Sequence, residues 1–355
     1  MYHPLALRAD VSARNGLEVI MAKTCVTLML AGLLLIGPVT ATSAQVHHVA
    51  DMNTVEIKAL DPAKTVVILP GGILEEHGPY LPAFADGYQN EWTVQRIAEA
   101  IVARPGWHVL IFPTIPLGVG GANEIGRKHV FPGTYAVRSS TLRAVFMDLA
   151  TELGEQGFRW IFVVHAHGAP NHNRMLQQAC DYFRDAYGGH MVHLSNVISG
   201  DEVKPSVVPT EAEQKEDGFS VHAGLWETSS VLFVRPDLVS PGLRSAASQT
   251  GTSWEDLVRL ARAPDGPGYF GSPRLATAGY GGEGMSTSTK EMIALALKVL
   301  DGADERQLRH FSDFATKNAA NIGIDRDALE RERGVLRQQQ DWLQKHPIAN
   351  PDLNP

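Results

Sequence analysis

Thr65-Val66-Val67-Ile68-Leu69-Pro70-Gly71-Gly72-Ile73-Leu74-Glu75-Glu76-His77-Gly78-Pro79 is the stretch from which the fold is read. Its first five residues are apolar or β-branched and end at Pro-Gly-Gly, the pattern of a short buried strand. Downstream, Trp92, Ile97, Ala98 and Ile101 recur on one side of a helix expected from about Tyr88 to Ala103. Trp107 to Phe112 reads as the next strand, leaving through a Gly- and Pro-rich loop from Pro113 to Gly121. Ser139 and Ser140 are candidate N-caps for a helix carrying Leu142, Val145, Phe146, Leu149 and Leu153, closed by Gly154 and Gly157. Trp160-Ile-Phe-Val-Val164 is the strongest buried-strand signal, and a helix near Asn173–Tyr187 and a strand near Met191–Leu194 continue the alternation. Strands separated by helices predict an α/β fold with a largely parallel sheet covered on both faces.

No linker divides the chain after its N-terminal segment, so a single domain is expected. The polar stretch from Asp201 to Asp217 reads as a mobile loop, placed to act as a lid. Thr287 to about His346 looks helical. The N-terminal segment itself is not fold. Met21-Ala-Lys23 is basic, Val26 to Ile36 is an almost unbroken apolar run, and Ala41-Thr-Ser-Ala44 is small-residue sequence. That order is a secretory signal pattern, and the apolar run is shorter than the roughly 20 residues a bilayer span needs. The expected organisation is a signal peptide over 1–44 (21–44 its working part), a catalytic domain over 45–320 and a helical tail over 321–355, with a periplasmic or secreted mature chain.

Composition excludes several classes. The formal net charge is −8 with no basic block, so nucleic acid, which needs clustered positive charge, is not an expected partner. Two cysteines, Cys25 and Cys180, make neither a disulfide framework nor a zinc ribbon. At 44% hydrophobic residues over 355 positions, an ordinary core is available without staples.

Four strings carry chemistry. Glu75 and His77 leave the first strand two residues apart, so an extended backbone points them the same way. Gly78-Pro79 then turns the chain, bringing Asp86 within reach. Carboxylate with imidazole suits zinc, manganese or iron, and a bridging aspartate is what a two-metal site needs. A lone Glu-x-His is more often a polar loop; the aspartate, the turn and the preceding strand favour the metal. His165-Ala-His167-Gly168 leaves the strand Trp160–Val164 at the equivalent edge of the sheet. His167 is the better ligand, His165 a supporting histidine, and Asn171 and His172 serve equally as substrate-orienting or capping residues. His222-Ala-Gly-Leu-Trp226-Glu227-Thr-Ser229 offers His222 and Glu227 as a proton-shuttling pair, or as a ligand and its support. Phe131-Pro-Gly-Thr134 is a turn whose N–H groups and hydroxyl suit a carbonyl oxygen.

Taken in order, Glu75-x-His77-Gly-Pro-x-Leu-Pro with Asp86, a strand ending in His-Gly, the Phe-Pro-Gly-Thr turn and His222-Ala-Gly-x-x-Glu227-Thr-Ser resemble the creatininase (creatinine amidohydrolase) family over roughly residues 53–300. The resemblance implies an α/β/α sandwich and two divalent metals (Zn, Mn or Fe) bridged by Asp86. Glu75 and His167 would bind one and His77 the other. A metal-bridging hydroxide would attack a small amide, cyclic amide or formamide, with His222 as acid/base toward the leaving nitrogen. It also implies a homo-oligomer, often a hexamer. The departures are local. Ala169 stands where the family places a metal-binding glutamate two residues after the histidine, so Glu227 is the replacement ligand or water completes the second metal. Gly218 stands where creatinine-specific members carry tryptophan, and Tyr80 replaces a frequent histidine. The alternatives on the same residues are a metal-binding protein without turnover, or a lactone or ester hydrolase.

Overall fold

Every residue of the strand Thr65–Pro70 is buried, a state reached by a central strand with both faces covered. In this computed structural model, which describes residues 45–198 and 206–347, it is the second of five parallel strands: Val46–His48 (β1), Thr65–Pro70 (β2), His108–Ile111 (β3), Trp160–Val164 (β4) and His190–His193 (β5). Their order across the sheet is β1-β3-β2-β4-β5. The expected signal segment, 1–44, lies outside the described residues. β1 was not foreseen. Its three residues pair with Val109, Leu110 and Ile111 at the sheet edge, where a strand need not be apolar on both faces.

Among the described residues, ten α-helices connect and follow the strands: Thr54–Lys58 (α1), Ala85–Val102 (α2), Ser139–Glu155 (α3), Pro170–Tyr187 (α4), Glu211–Asp217 (α5), Leu225–Val234 (α6), Trp254–Arg262 (α7), Ala278–Leu300 (α8), Phe311–Ala315 (α9) and Ala319–Lys345 (α10). Alternate strand residues feed opposite layers. Val67, Leu69, Ile161 and Val163 pack with Leu142 and Phe146 of α3 and Leu176 and Phe183 of α4. Val66, Ile68, Phe162 and Val164 pack with Val94, Ile97 and Ile101 of α2 and Ala296 and Val299 of α8. The result is an α/β/α sandwich in which each fully buried aliphatic or aromatic side chain contributes about 1.5–3 kcal/mol.

Three local expectations change. α3 begins at Ser139 and is not capped by Ser139 or Ser140. Its N-terminal N–H and the Ser139 hydroxyl both donate to the carboxylate of Glu332, 193 residues away, at 2.8 and 2.6 Å. A distant helix supplies the cap, which no local pattern can announce. The polar stretch before residue 217, read as a mobile loop, contains α5, closed by a capping box between Thr210 and Glu213. The helical run expected from Thr287 to His346 is broken into α8, α9 and α10. Among the described residues, no helix is long and apolar enough to cross a membrane.

The chain moves from β2 to β3 on one side and then resumes at β4 on the other, so the winding reverses between β2 and β4. Ligand sites of open α/β sheets form at the carboxyl ends of such a pair. Pro70 lies beside Val164 and the Gly71 N–H donates to the Val164 carbonyl at 3.0 Å, so the loops after both strands start side by side. A β-carbon on Gly71 would fall 1.8 Å from the ring of His165; glycine is what lets the two exits meet.

Phe162 lies at the centre of β4 and is fully buried. Phe162→Ala is expected to lower the unfolding free energy by about 3–5 kcal/mol, measured from the urea midpoint.

Candidate metal centre

The loop after β2 is folded back by the Glu75 N–H, which donates to the Ala83 carbonyl at 2.8 Å. This hands the chain to α2 with Asp86 in its first turn, where a carboxylate is favoured by the helix dipole. Asp86 is therefore helical, because the helix expected from about Tyr88 begins at Ala85. Its Oδ1 lies 3.5 Å from His77 Nε2 and its Oδ2 3.0 Å from His167 Nδ1, so each carboxylate oxygen faces a different imidazole.

Both imidazoles have their remote nitrogen occupied by backbone. His77 Nδ1–H donates to the Glu75 carbonyl at 3.0 Å, and His167 Nε2–H donates to the Gly120 carbonyl at 3.2 Å. The nitrogens facing Asp86 are the ones that offer lone pairs once their protons leave, the arrangement by which supporting hydrogen bonds orient a metal-ligating histidine. Glu75 Oε1 accepts the Ala122 N–H, while Oε2 lies 3.2 Å from His167 Nδ1, buried and without a hydrogen bond. Glu227 Oε1 lies 3.2 Å from His77 Nε2. Its Oε2 takes the N–H of Ala223 at 2.6 Å, a residue held at φ 50°, where a β-carbon is disfavoured.

Two donor sets emerge, Glu75–Asp86–His167 and His77–Asp86–Glu227, each with ligand atoms within 4.8 Å of one another and with Asp86 common to both. Carboxylate oxygens and oriented imidazole nitrogens fit two divalent cations of the zinc, manganese or iron kind. A third grouping, Glu75–His77–His222, spans the same distance. His222, however, stands back: its Nε2–H donates to the Glu76 carbonyl at 2.6 Å, and its Nδ1 is 3.8 Å from Glu75 and 3.7 Å from Glu227.

Electrostatics follow from packing Glu75, Asp86 and Glu227 around these rings. Burial works against charged imidazole, but at His77 the charges of Glu227 and Asp86 outweigh it and hold the ring well above its ordinary value. At His167 Glu75 and Asp86 likewise win, raising it to about 9. Asp86 is held well below the carboxylate range by the same two histidines, against the cost of its burial. Glu76, beside the site, is pushed up to about 7 by burial.

Other candidates of the sequence are placed elsewhere. His165 and His172 form a buried pair, Nδ1 to Nε2 at 3.0 Å, behind the site, and His193 Nε2–H donates to the His165 carbonyl. Burial lowers His165 to about 4 and His193 to about 3. His172 therefore orients no substrate. Asn171 donates to Ser139 Oγ. Thr134 of the Phe-Pro-Gly-Thr turn accepts the Glu76 N–H and donates to Asn123, so it braces the metal loop rather than holding a carbonyl. Trp226 and Trp254 both line the cavity over the centre. Sequence reading missed two contributors to that cavity, Glu124 and Asp325; neither lies in a motif, and only the packing of α10 beside the turn Ala122–Gly126 brings them there.

Fold and donor sets together define a metal-dependent hydrolase on an α/β/α sandwich. The chain belongs to the creatininase family of metal-dependent amidohydrolases: its model, described as creatinine amidohydrolase, matches residues 50–296. A creatinine amidohydrolase of Pseudomonas putida is 29% identical over 179 residues, which is 49% of this chain and 66%, just under two thirds, of that protein. A mycofactocin precursor peptide peptidase of Mycobacterium ulcerans is 25% identical, over 60% of this chain and 76% of its own length. The solved structure named Creatininase Mn shares the fold with a TM-score of 0.51 at 22% identity, covering 71% of this chain and 98% of that one.

Two measurements follow. In metal-free protein His167 is protonated below about 9, and a ligand must be neutral; adding zinc or manganese at pH 7.5 should release at least one proton per chain, read with an indicator dye, and affinity should rise with pH. His193 resists protonation in the native state to about 3, whereas unfolded histidine protonates near 6.5. Its stabilisation is therefore complete above 6.5 and is lost as pH falls. Against His193→Gln, wild-type stability should drop more steeply between pH 6.5 and 4, by about 1.4 kcal/mol per unit, other titrating groups being common to both proteins.

Proposed function

We propose that this chain is an exported amidohydrolase cleaving the C–N bond of a small amide, cyclic amide or formamide, with Glu75, Asp86 and His167 holding one divalent cation and His77, Asp86 and Glu227 the other. The observation that carries the reading is Asp86, whose two oxygens face two separate imidazole–carboxylate pairs. Divalent ions bound there supply a polarised carbonyl and a water acidic enough to be a nucleophile at neutral pH. The remaining steps belong to the chain. His222 has its Nε2–H committed to the Glu76 carbonyl, so its Nδ1 lone pair faces the carboxylates and the cavity. From there His222 takes the proton of the attacking nucleophile and delivers it to the leaving nitrogen. Glu227 serves as the ligand that Ala169 cannot be, and the Ala223 N–H fixes its second oxygen.

Creatinine is not singled out as the substrate. Gly218, where creatinine-specific members carry tryptophan, is the C-cap of α5 with φ 60°. Export is supported by the basic, apolar and small-residue order of residues 21–44, and assembly as a homo-oligomer by the family resemblance.

Protein lacking residues 1–44 is expected to bind about two metals per chain and to hydrolyse members of a panel of small amides that includes creatinine, lactones and esters. Asp86→Ala should lose both metals and reduce kcat/KM by at least about 10³-fold, on the scale of removing the principal electrostatic element of a site, while circular dichroism stays unchanged. Metal that survives Asp86→Ala overturns the bridging assignment; two metals with no turnover on any substrate leaves a binding protein; turnover of esters alone reassigns the bond cleaved.

A further inference from the structure

The cavity over the metal centre encloses about 600 Å³ and is lined, besides the donor residues, by Trp226, Trp254, Phe311, Glu124, Asn321 and Asp325. Among the described residues, none that lines it is lysine or arginine. Glu124 follows Ala122, the residue whose N–H holds Glu75, in the turn Ala122–Gly126. Asp325 comes from α10, which lies beyond the family match at residues 50–296. α10 is tied in place by two ionic contacts: Glu332 accepts both donors at the start of α3, and Asp327 pairs with Arg127 at 2.8 Å.

Among the described residues, neither the Glu124 nor the Asp325 carboxylate has a hydrogen-bond or ion-pair partner. Burial, with Glu332, Asp325 and Glu75 nearby, pushes Glu124 up to about 7; burial and Glu332 push Asp325 up to about 6. Two further polar atoms of residues lining the same cavity are buried without a hydrogen bond, Glu75 Oε2 and Ser195 Oγ. Glu75 Oε2 is accounted for by the metal. The hydroxyl and the two carboxylates remain as unmatched acceptors in a space walled by aromatic rings. Unpaired, half-buried carboxylates are costly without a counter-charge, and aromatic faces attract cations. Among the described residues, the charged side chains that an anionic substrate would meet beyond the donor residues and His222 are carboxylates.

We propose that Glu124 and Asp325 determine substrate class: the amide cleaved at the metal centre carries, remote from the scissile bond, an ammonium or guanidinium group that seats against these two carboxylates of the cavity wall. The proposal rests on the amidohydrolase reading above. In it, the C-terminal helix is a specificity element added to the family scaffold, and Asp325 is a positioning residue for the substrate's charged end rather than a catalytic one.

The test compares ω-amino-alkanamides of three to six methylenes with alkanamides and ω-carboxy-alkanamides of the same length, at pH 8, on metal-loaded protein. Wild type should favour the ammonium series over the neutral one by about tenfold in kcat/KM, the worth of one modest charge pair. In Asp325→Asn/Glu124→Gln the ratio should fall toward one, through KM, and in Asp325→Lys it should turn toward the carboxylate series. A ratio near one in wild type, or variants that lower all three series alike, overturns the proposal. Failure of the amidohydrolase reading is distinguishable: if no amide is hydrolysed with metals bound, tryptophan fluorescence titration with the same amides decides. Tighter binding of the ammonium series that disappears in the double variant supports the cation end, and equal binding of all three series overturns it.

Discussion

Asp86 stands between His77 and His167 with one oxygen toward each ring, and the surrounding structure is arranged to make that position tolerable. Glu75 and Asp86 are almost wholly buried within reach of each other's partners, a grouping of like charges that is expensive unless cations balance it. In the metal-free protein the imidazoles supply the balance by holding protons above their ordinary range; with divalent ions bound those protons leave. The same residues thus act as a proton store or as a ligand set, and the exchange between the two ties metal affinity to pH.

The backbone makes this possible. Because the winding reverses between β2 and β4, the loops leaving these strands diverge above the sheet and leave a crevice, into which Glu75, His77 and His167 project. α2 adds Asp86 from its first turn, and α6 adds Glu227 from its own. Each imidazole is oriented by a backbone carbonyl, Glu75 for His77, Gly120 for His167 and Glu76 for His222. Backbone acceptors are set by the fold rather than by side-chain rotamers, so the tautomers are decided once the loops are in place. The buried histidines His165, His172 and His193 form the floor beneath this arrangement, neutral because burial leaves no room for their charge.

α10 joins the domain to a layer the motifs do not describe. Its Glu332 caps α3, its Asp327 pairs with Arg127, and its Asp325 reaches the cavity. A helix with no fully buried residue is thereby anchored by polar contacts, and it presents Asn321, Ile324 and Asp325 to the cavity.

Much of the molecule was legible in the chain. β2 and β4 were visible because strands buried on both faces must be continuously apolar, and Glu75, His77, Asp86, His167, His222 and Glu227 stood out because each follows such a strand or a glycine turn at a spacing metal chemistry uses. Edge strand β1 was not legible, since half-exposed residues carry no such signature; nor was the cap of α3, whose partner Glu332 is 193 residues away. His172 and Thr134 looked available to substrate and were taken instead by the inner histidine pair and by Asn123. Sequence by itself carried the layers, the candidate donor residues and the family resemblance, because local periodicity and short spacings encode them. Tertiary structure alone decided which oxygen of Asp86 faces which ring, how closely Glu227 approaches His77, and that Glu124 and Asp325 share one cavity, because these depend on distances between segments that the chain brings together only on folding.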